Sequence, residues 1–437
     1  MTKQIFRLLE KEKKRQEETL MMIPSENYTY PEVRQALASW TSHKYSEGQP
    51  GKRYYQGNEF IDQIESLCQK EALWAFDLDE TEWDVNVQPY SGSIANLAVY
   101  TALIKPGEKI LAMNLLEGGH VSHGWQWKGK PVGLAGQVWQ FHHYGVDPEK
   151  EIFDYGKIGK MTQEIQPKLV VSGGTAYPRE IDHQELSQIA KENGAYYLAD
   201  IAHEAGLIAA GVNQSPFQYA DVVTMTGQKT LRGPRCGIVF ARKGLIELIN
   251  RAIFPGIQGG PHNQTIAALA IAFQKAQTEE FKKDNYQTVK NCQKLGQILS
   301  SLGLRLVSGG TDKHLLLIDL QDKNVSGWFT AWALEAAGII VNRNTIPRDP
   351  ASPYYPSGFR LGTPACTVRG MGEKEMEVIG KIIVDVVEHL GSRSIPEDKK
   401  ERTEKLKNFK KEVFQDQFLQ EVKQRVIQLC QKFPIPE

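Results

Sequence analysis

Cysteine is scarce in this chain of 437 residues, and its five copies (Cys68, Cys236, Cys292, Cys366 and Cys430) are scattered with no C-x-x-C spacing. That excludes a disulfide frame and a zinc ribbon, and it points to a reducing compartment. Net charge is absent as well: 52 lysines and arginines balance 52 aspartates and glutamates. Nucleic acid and an anionic membrane are therefore not expected as main partners. No apolar run approaches the roughly 20 residues that a membrane-spanning helix needs. The first 19 residues are charged and lack the apolar centre of a signal peptide. A cytoplasmic protein is the expectation. His120 and His123 are spaced like metal ligands, but no third ligand stands near them, so no metal site is expected. Internal repeats and low-complexity tracts are missing too.

What is present is an ordinary globular balance, 41% hydrophobic and 24% charged residues, in a length that predicts two domains. A charged helical arm covers 2–20, and a second helix over 31–40 begins on Pro31. Residues 42–57 make a long loop rich in glycine and tyrosine, and loops of that length are often functional. Helix and strand then alternate, with strands expected at 83–87, 109–113, 168–172, 196–199, 222–224 and 237–241. This alternation marks an α/β domain with a mostly parallel sheet and helices on both faces. A turn-rich break at 255–261 precedes one long helix over 263–300. Beyond it, strands near 305–307, 315–320 and 339–341 and helices at 326–337, 374–390 and 403–431 make a smaller α+β domain. The expected division is a helical arm over 1–40, a large domain over 41–262, and a bridging helix with the small domain over 263–437.

Ser91, Asp200 and Lys229 each follow an expected strand directly. Ligands gather at the carboxyl ends of parallel strands, so one pocket can collect all three. Ser91-Gly92-Ser93 opens a helix. Hydroxyls and free backbone N–H groups at a helix N-terminus make an anion site, although serine is also an ordinary cap there. Asp200 closes an apolar run, where a carboxylate needs a partner; a protonated ring nitrogen or a structural ion pair would serve. His203 lies one turn on. His120, in the glycine-rich Gly118-Gly119-His120 segment, is placed for stacking or hydrogen bonding. Lys229 stands at a strand-to-loop junction, with Arg235 as a cationic neighbour that favours the neutral amine. A nucleotide P-loop is excluded, because Gln228 stands where that motif needs glycine. Arg360, in a turn-rich segment, suits a carboxylate held by two hydrogen bonds. A lysine for an aldehyde, a buried aspartate, a flat histidine and an anion site are the parts that a pyridoxal phosphate (PLP) enzyme requires.

The motifs also match a known family, in order, from about residue 20 to 370. They are Ser25-Glu26-Asn27, Lys44-Tyr45-Ser46-Glu47-Gly48, Pro50-Gly51-Lys52-Arg53-Tyr54-Tyr55, Gln88-Pro89-Tyr90-Ser91-Gly92-Ser93, Gly118-Gly119-His120, Ala199-Asp200-Ile201-Ala202-His203, Lys229-Thr230-Leu231-Arg232-Gly233-Pro234-Arg235, Gln258-Gly259-Gly260-Pro261 and Arg360-Leu361-Gly362-Thr363-Pro364. On these residues the chain resembles serine hydroxymethyltransferase, a fold-type I PLP-dependent family. The resemblance implies a large domain with a seven-stranded-type, mostly parallel sheet and a smaller α+β C-terminal domain. It implies transfer of a one-carbon unit between serine and tetrahydrofolate, giving glycine and 5,10-methylenetetrahydrofolate.

Residue by residue, the resemblance implies that Lys229 carries PLP, Asp200 pairs with its ring nitrogen, His120 stacks on the ring and His203 lies beside it. Ser91, Gly92 and Ser93 hold the phosphate, helped by Tyr45 and Gly260 across the interface of a homodimer with shared active sites. Ser25, Tyr55 and Arg360 bind the amino acid. Glu47 is the acid/base group, enclosed by Tyr54 and Tyr55. Thr226 lies next to the lysine and Arg235 tunes it. Tyr54, Leu115, Val121 and Asn344 border the folate. The chain departs from the family pattern at Gln228 (usually histidine), Met225 and Gly227 (a threonine-rich run), Pro24 (alanine), Gln49, Gln56 and Asn58 in the loop, and Val121 (leucine). These departures leave open a folate-independent aldolase, or a hydroxymethyltransferase acting on threonine-like or α-substituted serines. A non-catalytic PLP-binding protein is a third reading, against which the intact Glu47, Tyr55, Lys229 and Arg360 count.

Overall fold

Seven strands form the sheet that the alternation predicts. In chain order they are β1 (Trp83–Asn86), β2 (Lys109–Met113), β3 (Gln140–Tyr144), β4 (Leu169–Ser172), β5 (Tyr196–Asp200), β6 (Val222–Thr226) and β7 (Gly237–Arg242). Their spatial order is β1-β7-β6-β5-β4-β2-β3. All neighbours are parallel except β7, which runs against both β6 and β1. The two reversals bring the carboxyl ends of β1 and β6 to the same edge as that of β5. Side chains alternate between two buried faces. Leu111, Val170, Tyr197, Val223 and Phe240 enter one core, while Ile110, Leu169, Leu198, Val222 and Val239 enter the other. Burial on both faces is why these strands read as unbroken apolar runs. β3 was not among the expected strands: it is an edge strand, Gln140-Phe141-His142-His143-Tyr144, whose polar residues hide its periodicity.

The computed structural model describes residues 2–437. Packing divides them into two units, one of residues 2–28 with 287–437 and one of residues 29–286. This differs from the expected boundaries near 40 and 262. Leu20–Met21 pairs in parallel with Ile339–Ile340, which assigns the first segment to the C-terminal unit. The Asn263–Ala276 helix buries Ala268 and Ala272 against Tyr30 and Val33, which keeps both segments with the large sheet. The single helix expected over 263–300 is two. The second, Glu279–Ser301, starts afresh because Thr278 Oγ1 accepts from Phe281 N at 3.3 Å, an N-cap. The same device breaks the helix expected over 403–431: Asp416 caps Gln417–Lys432 by accepting from Leu419 N at 3.0 Å.

The C-terminal unit contains a four-stranded antiparallel sheet, Arg305–Leu306, Leu315–Asp319, Gly358–Gly362 and Asn342–Asn344 in spatial order. Arg360, expected in a turn, lies in the middle of Gly358–Gly362, a wholly buried strand. Arg369 serves the ends of two helices. Its guanidinium donates to Glu17 O (3.1 Å) and Thr19 O (2.9 Å) at the end of the Thr2–Glu17 helix, and to Cys430 O (3.0 Å) and Phe433 O (2.6 Å) at the end of Gln417–Lys432. A buried cation at two helix C-termini satisfies carbonyls that no helix can pair internally. Replacing Arg369 with Met is expected to destabilise this unit by about 3 kcal/mol, read as a lower midpoint in urea unfolding; an unchanged midpoint would refute this account.

Candidate active site

The carboxyl ends of β1, β5 and β6 carry the polar groups expected from the sequence. β1 leads through Gln88-Pro89-Tyr90 to Ser91. Ser91 is extended (φ −161°, ψ 166°) and caps the Gly92–Leu103 helix, its Oγ accepting from Ile94 N at 3.4 Å. Two glycines permit close approach at this turn. A Cβ on Gly92 would stand 2.6 Å from Thr226 Cγ2, and one on Gly237 would collide with the Ser91 carbonyl. The helix N-terminus, with the unpaired N–H groups of its first turn, therefore abuts the end of β6.

Asp200 ends β5. Its Oδ2 accepts from Asn96 Nδ2 at 2.8 Å and from His123 Nε2 at 3.2 Å, and its Oδ1 accepts from Ala202 N at 3.1 Å. A carboxylate only accepts, so His123 Nε2 carries a proton. Burial pushes the Asp200 carboxyl up. The hydrogen bond and charge of His123, with His120 and Asn96, outweigh that and hold it well below the usual carboxylate range. Asn96 is the hub of this network. Its Oδ1 accepts from Thr224 Oγ1 at 2.6 Å, and its Nδ2 also reaches Ser122 Oγ at 2.9 Å. Ser122 Oγ in turn pairs with His120 Nδ1 at 2.7 Å. One amide thus joins helix, two strands and the His120 loop.

Lys229 is only 8% exposed. Its turn is fixed at several points. Thr226 Oγ1 donates to Ala202 O at 3.3 Å, and Thr230 Oγ1 donates to His203 O at 3.0 Å while accepting from Gly206 N at 2.9 Å. Arg232 N returns to Lys229 O at 3.2 Å, and Gly233 N to Gly227 O at 2.7 Å. Arg232 is left-handed (φ 60°) and buried, stacks on Tyr30 at 3.9 Å and pairs with Asp284 at 3.0 Å. A left-handed non-glycine residue costs about 1 kcal/mol or more, which the stacking and the ion pair offset. Gln228 Oε1 is buried and has no hydrogen-bond partner among the described residues.

The remaining expected residues fall into separate places. Tyr45, Glu47 and Gly260 are neighbours within one chain: a Cβ on Gly260 would lie 3.4 Å from Glu47 Cγ and 3.6 Å from Tyr45 Cδ1. Tyr90 donates to Gly260 O at 2.6 Å, which links this group to the Ser91 turn. The expected enclosure of Glu47 by Tyr54 and Tyr55 is not formed within one chain. Both rings are exposed, Tyr54 edge-on to Phe254 and Tyr55 tilted on Tyr45. Arg235, expected beside the lysine, is exposed because it lies past the point where Gly233 closes the turn; the buried guanidinium of this segment is Arg232. Ser93 and Val121 are exposed, His203 is buried, and Leu115 is half-buried at the start of the short 3-10 helix Leu115–Glu117 before His120. Ser25, Asn344 and Arg360 belong to the C-terminal unit. There the Pro24-Ser25 turn packs on the Arg360 strand, since Gly362 N donates to Met22 O at 2.8 Å and a Cβ on Gly362 would meet Pro24. Asn96 and Arg232 were not singled out from the sequence. Their roles depend on long-range partners, and only the spacing of Asn96 one turn inside the Ser91 helix could have hinted at one.

These residues fit PLP. A glycine-lined helix N-terminus suits a phosphate, an ionised buried aspartate suits a protonated ring nitrogen, and a buried primary amine suits an aldehyde. An orphaned acceptor immediately before that amine is a polar atom with a partner to gain. Fold and site together define a fold-type I PLP-dependent enzyme. The family model for serine hydroxymethyltransferase matches residues 1–383. The chain is 44% identical over 433 residues to "Serine hydroxymethyltransferase" of Methanosarcina barkeri, covering 99% of this chain and 97% of that protein. It is also 44% identical over 449 residues to "Serine hydroxymethyltransferase, mitochondrial" of Schizosaccharomyces pombe, covering 99% of this chain and 92% of that one. The chain belongs to the serine hydroxymethyltransferase family, PLP-dependent transferases that move a hydroxymethyl group between serine and tetrahydrofolate.

Two outcomes follow from the Asp200 network. Replacing Asn96 with Ala strands Thr224, Ser122 and one Asp200 contact, and is expected to cost about 2 kcal/mol in urea unfolding; a change within 0.5 kcal/mol, about the scatter of surface substitutions, would refute the hub. The Asp200 carboxyl is held below its unfolded value of about 3.9, so its ionisation stabilises the fold fully above that pH and the contribution fades as pH falls toward the folded value. Wild type should therefore lose more stability than Asp200→Asn between about pH 5 and 2; parallel curves would contradict the shift.

Proposed function

We propose that Lys229 carries the PLP of this transferase, that Asp200 holds a proton at the ring nitrogen, and that His120 lies against the ring with His203 nearby. The convergence of Lys229, Asp200 and the Ser91-Gly92 turn on one sheet edge is the observation that supports this reading. When bound, PLP supplies an electron sink for bonds at the substrate α-carbon. The chain's own residues bind, orient and move protons. Ser91, Gly92 and Ser93 neutralise the phosphate with hydroxyls and backbone N–H groups, and Thr226 backs the lysine turn. Arg360 takes the substrate carboxylate, with Ser25 and Tyr55. Burial pulls the Arg360 guanidinium down to about 10, against the pull of Glu26, so it stays charged at neutral pH and gains from an incoming anion. Glu47 moves a proton at the hydroxymethyl oxygen, and Tyr54, Leu115, Val121 and Asn344 border tetrahydrofolate.

The working form in this reading is a homodimer in which Tyr45 and Gly260 complete the opposite site. Support comes from the aromatic surface around the Glu47 segment: Trp40 is 89% exposed, Tyr54 76%, Phe60 71% and Tyr45 60%. Apolar surface of that kind marks an interface. The five buried, unpaired cysteines support a cytoplasmic setting.

Serine and tetrahydrofolate should yield glycine and methylenetetrahydrofolate in equal amounts. Cleavage of allo-threonine without any folate-dependent turnover of serine would instead favour the aldolase. Lys229→Ala should abolish the cofactor-modified peptide seen by mass spectrometry after borohydride reduction. Glu47→Gln should lower folate-dependent serine cleavage by about 100-fold while PLP stays bound; equal loss of both would count against a proton-moving role. Sedimentation at micromolar concentration should give twice the chain mass, and Trp40→Glu should shift it toward one copy.

A further inference from the structure

The segment that carries Glu47 is tied down by a buried charge outside the site described above. Gly48–Gln49 and Lys52–Arg53 form a short hairpin. Arg53 folds back beneath it with a side chain only 3% exposed. Its Nη1 donates to Ser46 O at 2.8 Å and Gly48 O at 2.6 Å, the two carbonyls that flank Glu47. Its Nε donates to Asp62 at 2.8 Å, and its Nη2 donates to Glu65 Oε2 at 2.6 Å. Glu65 lies inside the Glu59–Ala75 helix with its side chain 1% exposed. Its other oxygen accepts from Gln88 Nε2 at 2.7 Å, and that same Nε2 reaches Gly48 O at 3.0 Å. Gln88 stands three residues before Ser91, and its own carbonyl is held by Gln258 at 2.8 Å. One carboxylate therefore joins the Glu47 hairpin to the segment between β1 and the Ser91 turn.

A buried carboxylate is a poor way to gain stability. Burial raises the Glu65 carboxyl above its usual range even though Arg53 pulls it down. Replacing a buried ion pair by apolar residues of equal volume is often neutral or stabilising. What an apolar pair cannot do is hold two carbonyls and a glutamine amide at hydrogen-bond distance. Only glycine fits this hairpin at position 48: it sits at φ 100°, and a Cβ there would collide with the Lys52 carbonyl.

We propose that Glu65 is a positioning residue, which through Arg53 and Gln88 fixes the hairpin that carries the Glu47 carboxylate. This rests on the proton-moving role assigned to Glu47. Glu65 touches no reacting group, so its loss acts chiefly on turnover, through Glu47, with a smaller effect on affinity through Tyr54 and Tyr55, which follow the hairpin.

The test uses the holoenzyme with serine and tetrahydrofolate. Glu65→Gln keeps the shape but sets an amide N–H₂ against a donor. It should lower kcat at least 10-fold with the serine KM and PLP retention within about threefold. The pair Arg53→Met with Glu65→Leu removes both buried charges but strands the Ser46 and Gly48 carbonyls, so it should still unfold in one cooperative urea transition, at a midpoint below wild type, while kcat stays at least 10-fold down. In a Glu47→Gln background, Glu65→Gln should add less than a threefold loss, because both lesions act through one group. Full kcat in the apolar double variant, or multiplicative losses with Glu47→Gln, would overturn the proposal while leaving the Glu47 role intact. Wild-type turnover in Glu47→Gln alone would overturn the role on which it rests.

Discussion

The ionised Asp200 carboxylate is the charge on which the 29–286 unit depends. A lone buried carboxylate is costly, and this one is affordable only because Asn96, His123 and the Ala202 N–H converge on it. The Ala202 N–H is local, but Asn96 and His123 come from a helix and a loop distant in sequence. Both of those must be in register with β5 for the carboxylate to remain charged. Asn96 makes the requirement stricter, since its carbonyl is occupied by Thr224 of the adjacent strand. The amide cannot rotate without losing both neighbours.

The same helix serves two chemical needs. Its N-terminus at Gly92 offers an anion site, and Asn96, four residues on and about 6 Å along the axis, supports the aspartate. Helix geometry therefore sets the distance between the phosphate end and the ring-nitrogen end of the site. Close backbone approach is what seats the helix. Thr226 and the Ser91 carbonyl occupy space that any side chain on Gly92 or Gly237 would need. Lys229 enters the same edge from a turn held at Thr226, Thr230 and Arg232, so its amine is placed by three separate contacts.

Much of this was legible in the chain itself. Six of the seven strands stand out because both faces are buried, and Ser91, Asp200 and Lys229 could be placed at strand ends. β3 was not legible, since an edge strand with two histidines shows little alternation of the expected kind. The helix breaks at Thr278 and Asp416 are capping events that short polar side chains decide locally, and a long amphipathic pattern masked them. Arg360 follows proline- and glycine-rich sequence and so reads as a turn, yet pairing on both sides makes it a strand centre. Arg232 and Arg235 look alike in sequence. Only the closure of the turn at Gly233 separates a buried cation from an exposed one.

By itself the sequence determined the layered α/β architecture, the family and the set of chemical groups. Those follow from periodicity and from residue types at strand ends, which are local properties. Tertiary structure decided which groups meet: that Asp200 is held by Asn96 and His123, that Arg53 and Glu65 sit beneath the Glu47 hairpin, and where the two units divide. These depend on contacts between residues scores of positions apart. Such contacts form only when the sheet order brings their strands to one edge.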